Sequence, residues 1–255
     1  MEVARVLNPD HYFWLASVGA FLVGLSNGGL PAIGMLSVPL LSLVMSPMKA
    51  AVLLLPIFVI SDMAGIWLYR RHFSAVNLRI LVPAGIVGVL IGWGTASLVS
   101  ERAITFLIGL MGVLFCLHVW LRRGRVQVAQ PAHRGWGSLW GVVSGFTSFI
   151  SHAGAPPFQI YMLPQQLAKA QFAGTATLFF AIINATKIVP YQFLQPYTLA
   201  GLREAAFLIP SALIGTVLGA YLTKRLSDKW FYLLVQIGLF GVSVKLMLNA
   251  SGWMG

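Results

Sequence analysis

Ser26-Asn27-Gly28-Gly29-Leu30-Pro31 lies in the middle of an apolar stretch, residues 12–45. As one helix that stretch would run about 50 Å at 1.5 Å per residue, well beyond the roughly 30 Å hydrocarbon core of a bilayer. The paired glycines loosen the backbone, and Pro31 favours breaking or restarting a helix. The stretch is therefore read as a broken helix or a re-entrant hairpin. Residues 136–163 have the same design, with Ser151-His152-Ala153-Gly154-Ala155-Pro156-Pro157 at their centre. Each half of the chain opens with a break.

Outside the breaks, the 255 residues are 58% hydrophobic and only 9% charged, against about a quarter charged in soluble domains. A water-soluble core cannot absorb that much apolar surface, so the fold class is all-α integral membrane, multi-pass. Three apolar runs carry no charge, at 80–99, 104–121 and 205–222. Three more carry one each: 51–69 with Asp62, 172–191 with Lys187 and 230–248 with Lys245. All six approach the length of a spanning helix. The net charge of +11 would suggest nucleic acid in a soluble protein, but here the basic residues sit in short loops between apolar runs, and no nucleic-acid partner is expected. The single cysteine, Cys116, lies inside an apolar run and reads as a packing residue. Glu2, Arg5 and Asp10 precede an apolar stretch that continues past its glycines, which argues against a removable signal peptide.

The two halves correspond beyond their breaks. Pro83, Gly88 and Gly92 match Pro210, Gly215 and Gly219 at a constant offset, and Asp62, Ile66 and Tyr69 match Asn184, Ile188 and Tyr191. An internal duplication accounts for both sets. Loop charge gives orientation. The loop with Arg70, Arg71 and Arg79, the linker with Arg122, Arg123, Arg125 and Arg134, and the turn with Lys224, Arg225 and Lys229 are expected on the cytoplasmic side, with Lys169. The neutral turns Glu101-Arg102 and Arg203-Glu204 are expected outside. Equivalent loops then fall on opposite faces, so the expected fold is two inverted-topology repeats, each a broken or re-entrant segment followed by three transmembrane helices. The repeats are placed at 1–124 and 136–255, with a cytoplasmic linker at 125–135. Four ordinary spans per half in parallel repeats is the alternative.

Inverted repeats with broken helices place binding sites near the bilayer midplane, where helix N-termini aim unpaired N–H groups at anions. The breaks supply Ser26, Asn27, Gly28, Gly29, Ser151, His152 and Gly154 as candidate binding residues, with Pro31 and Pro156 as starts of the following half-helices. Close helix packing through small residues is the other use of such a composition. Asn184, Lys187 and Tyr191 share one helical face by their i−3 and i+4 spacing, and Lys187 is the candidate counter-charge for an anion; a snorkelling or structurally paired lysine is the alternative. Asp62, deeper in its span and equivalent to Asn184, is a candidate to pair with Lys187 or to accept a coupling proton, against a purely structural hydrogen-bonding role. His152 is a second candidate for coupling, or a packing histidine. Gln159 and Gln192 are weaker polar candidates.

The first glycine loop resembles phosphate-cradling loops only superficially, since the dinucleotide fingerprint and the Gly-Lys-Ser/Thr ending are absent. HExxH is absent as well, so the chain is read as no enzyme, with no cofactor and no metal. Trp14, Trp67, Trp120, Trp136 and Trp230, near the span ends, read as interfacial anchors in the lipid bilayer.

Gly24-Leu25-Ser26-Asn27-Gly28-Gly29, followed by Val38-Pro39-Leu40-Leu41 and Leu68-Tyr69-Arg70-Arg71, resembles the sulfite exporter TauE/SafE family, also called the toluene sulfonate uptake permeases. In the second half Asn184-Ala185-Thr186-Lys187-Ile188-Val189-Pro190-Tyr191 and the Gly215 to Gly219 segment continue the likeness. The family's usual glycine run in the second break is replaced by Ser151-His152-Ala153-Gly154. The resemblance implies a transporter of sulfite, an organosulfonate or a related sulfur-containing anion. The resulting expectation is a secondary transporter working by alternating access in the cytoplasmic (inner) membrane of a bacterium. A proton is a candidate coupled ion and a homo-oligomer a candidate assembly. An anion channel and a non-transporting scaffold subunit are the alternatives.

Overall fold

The protein is described by a computed structural model covering residues 9–251, except 32, 43, 97, 99 and 122–128. The described residues form helices joined by short turns: α1 (Pro9–Asn27), a 3-10 turn (Ile33–Leu36), α2 (Ser37–Leu41), α3 (Pro47–Tyr69), α4 (Ala75–Thr95) and α5 (Glu101–Leu121) in the first half. The second half contains α6 (Arg134–Ser151), α7 (Ala155–Met162), a 3-10 turn (Leu163–Gln165) that here follows the short helix, α8 (Lys169–Leu194), α9 (Leu199–Arg225) and α10 (Asp228–Ser251). Both long apolar stretches are broken where the glycines and prolines stand. Pro156 sits in the first turn of α7. Pro31 does not start a helix: a 3-10 turn intervenes before α2.

Five helices, α3, α4, α8, α9 and α10, are long and apolar enough to cross a membrane. The helix α5 has 21 residues, about 32 Å at 1.5 Å each, and is apolar over Gly109–Leu121. Most spans begin a turn earlier than the apolar windows because polar caps start them. The side chains of Ser46, Ser74 and Thr198 accept from the N–H groups of Lys49, Asn77 and Gly201, satisfying donors a helix otherwise leaves open. The window 80–99 ran too far, since α4 ends at Thr95. Of the linker, Arg122, Arg123 and Arg125 lie outside the described residues, and Arg134 already opens α6.

Two helix pairs pack at backbone contact. A Cβ on Gly145 of α6 would stand 1.9 Å from the Gly85 carbonyl oxygen of α4, and one on Gly24 of α1 would stand 1.9 Å from the Ala212 carbonyl oxygen of α9. Only hydrogen fits at either crossing. The same relation recurs one turn on, where Gly88 meets Val142 O and Phe146 N, and Gly215 meets Phe21 O and Leu25 N. Thus α1 lies on α9 as α6 lies on α4. The remaining long helices pair with their own equivalents, α3 on α8 and α5 on α10.

The basic loops gather at one end of the bundle. There Ser74 N–H donates to Thr175 Oγ1 (2.9 Å), Gln130 N–H to Pro164 O (3.0 Å), and Lys169 Nζ reaches Lys224 O, Leu226 O and the Asp228 carboxylate. At the opposite end the Tyr12 hydroxyl donates to Glu204, so the starts of α1 and α9 meet there. Accordingly α3 leads toward the basic end and α8 away from it. Large apolar side chains such as Phe193, Phe207 and Leu121 face outward with 71%, 77% and 85% exposure, the surface a lipid solvent requires. Trp14, Trp67, Trp136 and Trp230 are exposed with them. Trp120 differs: it is partly buried, and its indole N–H donates to Gln236 Oε1 of α10 (3.1 Å), so it belongs to the α5–α10 contact.

Candidate functional site

In the first break Gly29 takes φ 114°, a conformation open to glycine. In the second, the left-handed residue is His152 at φ 52°, where it caps α6. Histidine tolerates the left-handed region better than most side chains, which explains physically how it stands where a glycine would be easiest.

Between the breaks lies a cavity of about 30 Å³ lined by Ser26, Asn27, Pro31, Gly34, Met35, Phe58, Ser148, His152, Ala155, Phe180 and Asn184. That exceeds the ~10–15 Å³ needed to admit one water. In the register set by Gly24 with Gly145 and by Asp62 with Asn184, eight of the eleven lining residues fall at matching positions: Asn27 with Ser148, Pro31 with His152, Gly34 with Ala155, and Phe58 with Phe180. The cavity is therefore walled by residues of both halves.

Polar groups ring it. The Asn27 amide donates to Ser61 Oγ (2.8 Å) and Phe58 O (3.4 Å), and the Asn27 carbonyl accepts from Thr177 Oγ1 (3.1 Å). Asn184 Nδ2 donates to Asp62 Oδ2 (2.8 Å) across the two halves. The other carboxylate oxygen, Asp62 Oδ1, is buried with no hydrogen-bond partner among the described residues. Lys187 is fully buried. Its ammonium donates to Ser148 O and Ser148 Oγ (both 3.2 Å), and stands 3.3 Å from His152 Nδ1. An ammonium has no acceptor to offer, so His152 Nδ1 accepts and Nε2 carries the ring proton. That N–H faces the Tyr191 hydroxyl at 3.3 Å, and the hydroxyl donates to Phe149 O (2.8 Å). The His152 ring stacks on Phe58 with centroids 5.2 Å apart. Tyr69, the counterpart of Tyr191, donates to Gly28 O (2.7 Å), the equivalent carbonyl of the first break.

The polar face of α8 points inward, since Asn184, Lys187 and Tyr191 are all buried. Of the residues singled out from sequence, Ser26, Asn27, His152 and Asn184 line the cavity. Lys187, Tyr191 and Asp62 stand behind it, each bonded to a residue at or beside the wall. Gly28 packs against α9, Gly29 lies among Thr223, Tyr69 and Ala173, Ser151 donates to Thr147 O, and Gly154 backs onto Ser144 O. Asp62 and Lys187 stand farther apart than the 4.0 Å of an ion pair yet within Coulombic reach of each other; the pair within 4.0 Å among the described residues is Lys169 with Asp228. The expected cradle of backbone N–H groups is also not met in α7. Its second and third residues are Pro156 and Pro157, which lack the donor, so side chains dominate the wall. Ser148, Phe58 and Phe180 were missed; extending the duplication from Asn27 would have found Ser148. Gln159 is buried with both amide atoms unpartnered among the described residues, and Gln192 is exposed, accepting from Tyr197 N–H. No cluster of three or more metal-ligating side chains occurs among the described residues.

The family model described as "Sulfite exporter TauE/SafE" matches residues 16–246, both breaks and all the long helices included. The chain belongs to the sulfite exporter TauE/SafE family. The family is one of membrane transporters, and the apolar helices and outward-facing side chains accord with a multi-pass membrane protein. No curated protein and no solved structure matches the chain.

Proposed function

We propose that this TauE/SafE protein is a secondary transporter that binds sulfite in the cavity between the two breaks and exposes it to either face in turn. The observation that carries this reading is a buried cation, Lys187, aimed at two wall residues, Ser148 and His152, of a cavity lying between equivalent elements of the two halves. A buried lysine is expensive in a bilayer, and an oxyanion bound at Ser148 and His152 would help to balance it. The small cavity with phenylalanine walls favours a compact inorganic oxyanion over an arylsulfonate. An inverted repeat is supported by the equivalent helices α3 and α8, which lead to opposite ends, and by the gathering of basic loops at one end, the cytoplasmic one by the positive-inside tendency. Asp62, buried with one free oxygen, is the coupling group.

The test is uptake of ³⁵S-sulfite into proteoliposomes with and without a pH gradient, in competition with selenite or toluenesulfonate. Gradient-driven accumulation, blocked by selenite and not by toluenesulfonate, is expected. Fast downhill flux alone would mean a channel, and no flux a scaffold. Asp62→Asn keeps a partner for Asn184, so the variant is expected to exchange sulfite across the membrane yet lose gradient-driven accumulation. Accumulation at the wild-type level would remove Asp62 from coupling. Thiol reagents should reach Ser74→Cys and Thr198→Cys, in a Cys116→Ala background, from opposite faces; reaction from one face would refute inversion.

A further inference from the structure

The equivalence of the halves fails at one place. At the end away from the basic loops, a vestibule of about 670 Å³ opens among the starts of α1, α3 and α9 and the α8–α9 turn, with Tyr12, Lys49, Val52, Pro56, Tyr197 and Glu204 in its wall. Pro56 is two residues, about 3 Å of helix rise, from Phe58 of the central cavity. Burial pushes the Tyr197 phenol up to about 12. At the basic end the equivalent elements are shut. Gly174 of α8, which stands where Val52 stands in α3, is packed so closely that a Cβ would lie 1.8 Å from His72 O. Asn77 of α4, which stands where Glu204 stands in α9, exchanges amide hydrogen bonds with Gln165, donating at 2.8 Å and accepting at 3.2 Å. The Tyr161 hydroxyl adds a third bond to Asn77 Oδ1 (2.9 Å). A pocket of about 250 Å³ on that side ends at Tyr161 and Gln165 and does not include Asn77.

We infer that Asn77, Gln165 and Tyr161 form the closed gate at the basic end, and that the vestibule is the open access route of the same state. The inference rests on the transporter reading above. Two packings of equivalent elements, one open and one closed, are what a two-state carrier needs, and opposite-end exchange of the two is a population shift between them. The gate is held by neutral hydrogen bonds among three side chains from α4, α7 and the turn before α8. Such bonds are individually modest and reversible, suited to opening in each cycle.

Side-specific labelling with an impermeant thiol reagent tests this, in a Cys116→Ala background, and reports access whichever anion is carried. Ala176→Cys lies on α8 between Thr175 at the gate and Phe180 at the cavity; Leu53→Cys lies in the vestibule wall. Adding Asn77→Ala with Gln165→Ala is expected to raise labelling of Ala176→Cys from the basic-loop face roughly tenfold and to lower labelling of Leu53→Cys from the opposite face. A purely structural role would not move the two reporters in opposite directions. A second arm holds the same place shut: Asn77→Cys with Gln165→Cys, joined by a short, reducible bifunctional thiol reagent, is expected to stop sulfite exchange until the bridge is reduced. Unchanged labelling of Ala176→Cys in a folded double-alanine variant, or undiminished exchange after cross-linking, overturns the gate.

Discussion

Lys187→Met is expected to fold and insert, and to lose sulfite binding by about 100-fold or more, the scale of truncating one member of a buried charge pair. The side chain is fully buried and extends to Ser148 and His152. Met follows much of the same path without the charge, so packing is kept. The variant leaves three acceptors, Ser148 O, Ser148 Oγ and His152 Nδ1, without their donor, which destabilises. It also removes an ammonium from an apolar interior, which stabilises. The two effects oppose, so the thermal midpoint in detergent should move little while affinity collapses. Equilibrium binding of ³⁵S-sulfite to the purified variant checks this, and affinity within threefold of wild type would assign Lys187 a structural role only.

The second large effect is on stability. Gly145→Ala and Gly24→Ala each place a Cβ 1.9 Å from a carbonyl oxygen of the facing helix, so the α4–α6 or α1–α9 crossing must open. Overpacking of this kind costs about 1–3 kcal/mol and occasionally more, and these clashes are with backbone that has no rotamer to change. Both substitutions should lower the thermal midpoint clearly and by similar amounts, because the crossings are equivalent. Gly94→Ala is the control, with nothing within 4 Å of the added atom. Equal midpoints for all three would mean that the crossings are not close-packed in the protein.

Much of this was legible in the chain itself. Within the repeated Pro-Gly-Gly pattern, Gly88 and Gly215 each meet the backbone of the facing helix, and a contact that only hydrogen fits tolerates little drift. The breaks were legible for a similar reason: apolar sequence too long for one span, with glycine and proline at its middle. Asn184, Lys187 and Tyr191 were legible as a face because polar groups on an apolar helix must turn inward. What the sequence hid was distance. Nothing in it places the Lys187 ammonium on Ser148 and His152 in preference to Asp62, since that choice depends on how α6 crosses α4 and on the left-handed turn at His152. The gate was hidden too, because Asn77, Gln165 and Tyr161 belong to three separate elements and carry no charge. Pro156 was read as a helix start, yet together with Pro157 it removes backbone donors that such a start would offer an anion.

Selenite has the shape and charge of sulfite and a heavier central atom, so its position can be seen directly. Crystals of the protein grown with selenite, measured at the selenium absorption edge, are predicted to give one anomalous peak per chain in the cavity bounded by Asn27, Ser148, His152 and Asn184, absent in Lys187→Met. A peak elsewhere, or an empty cavity in protein that still transports selenite, would contradict the account.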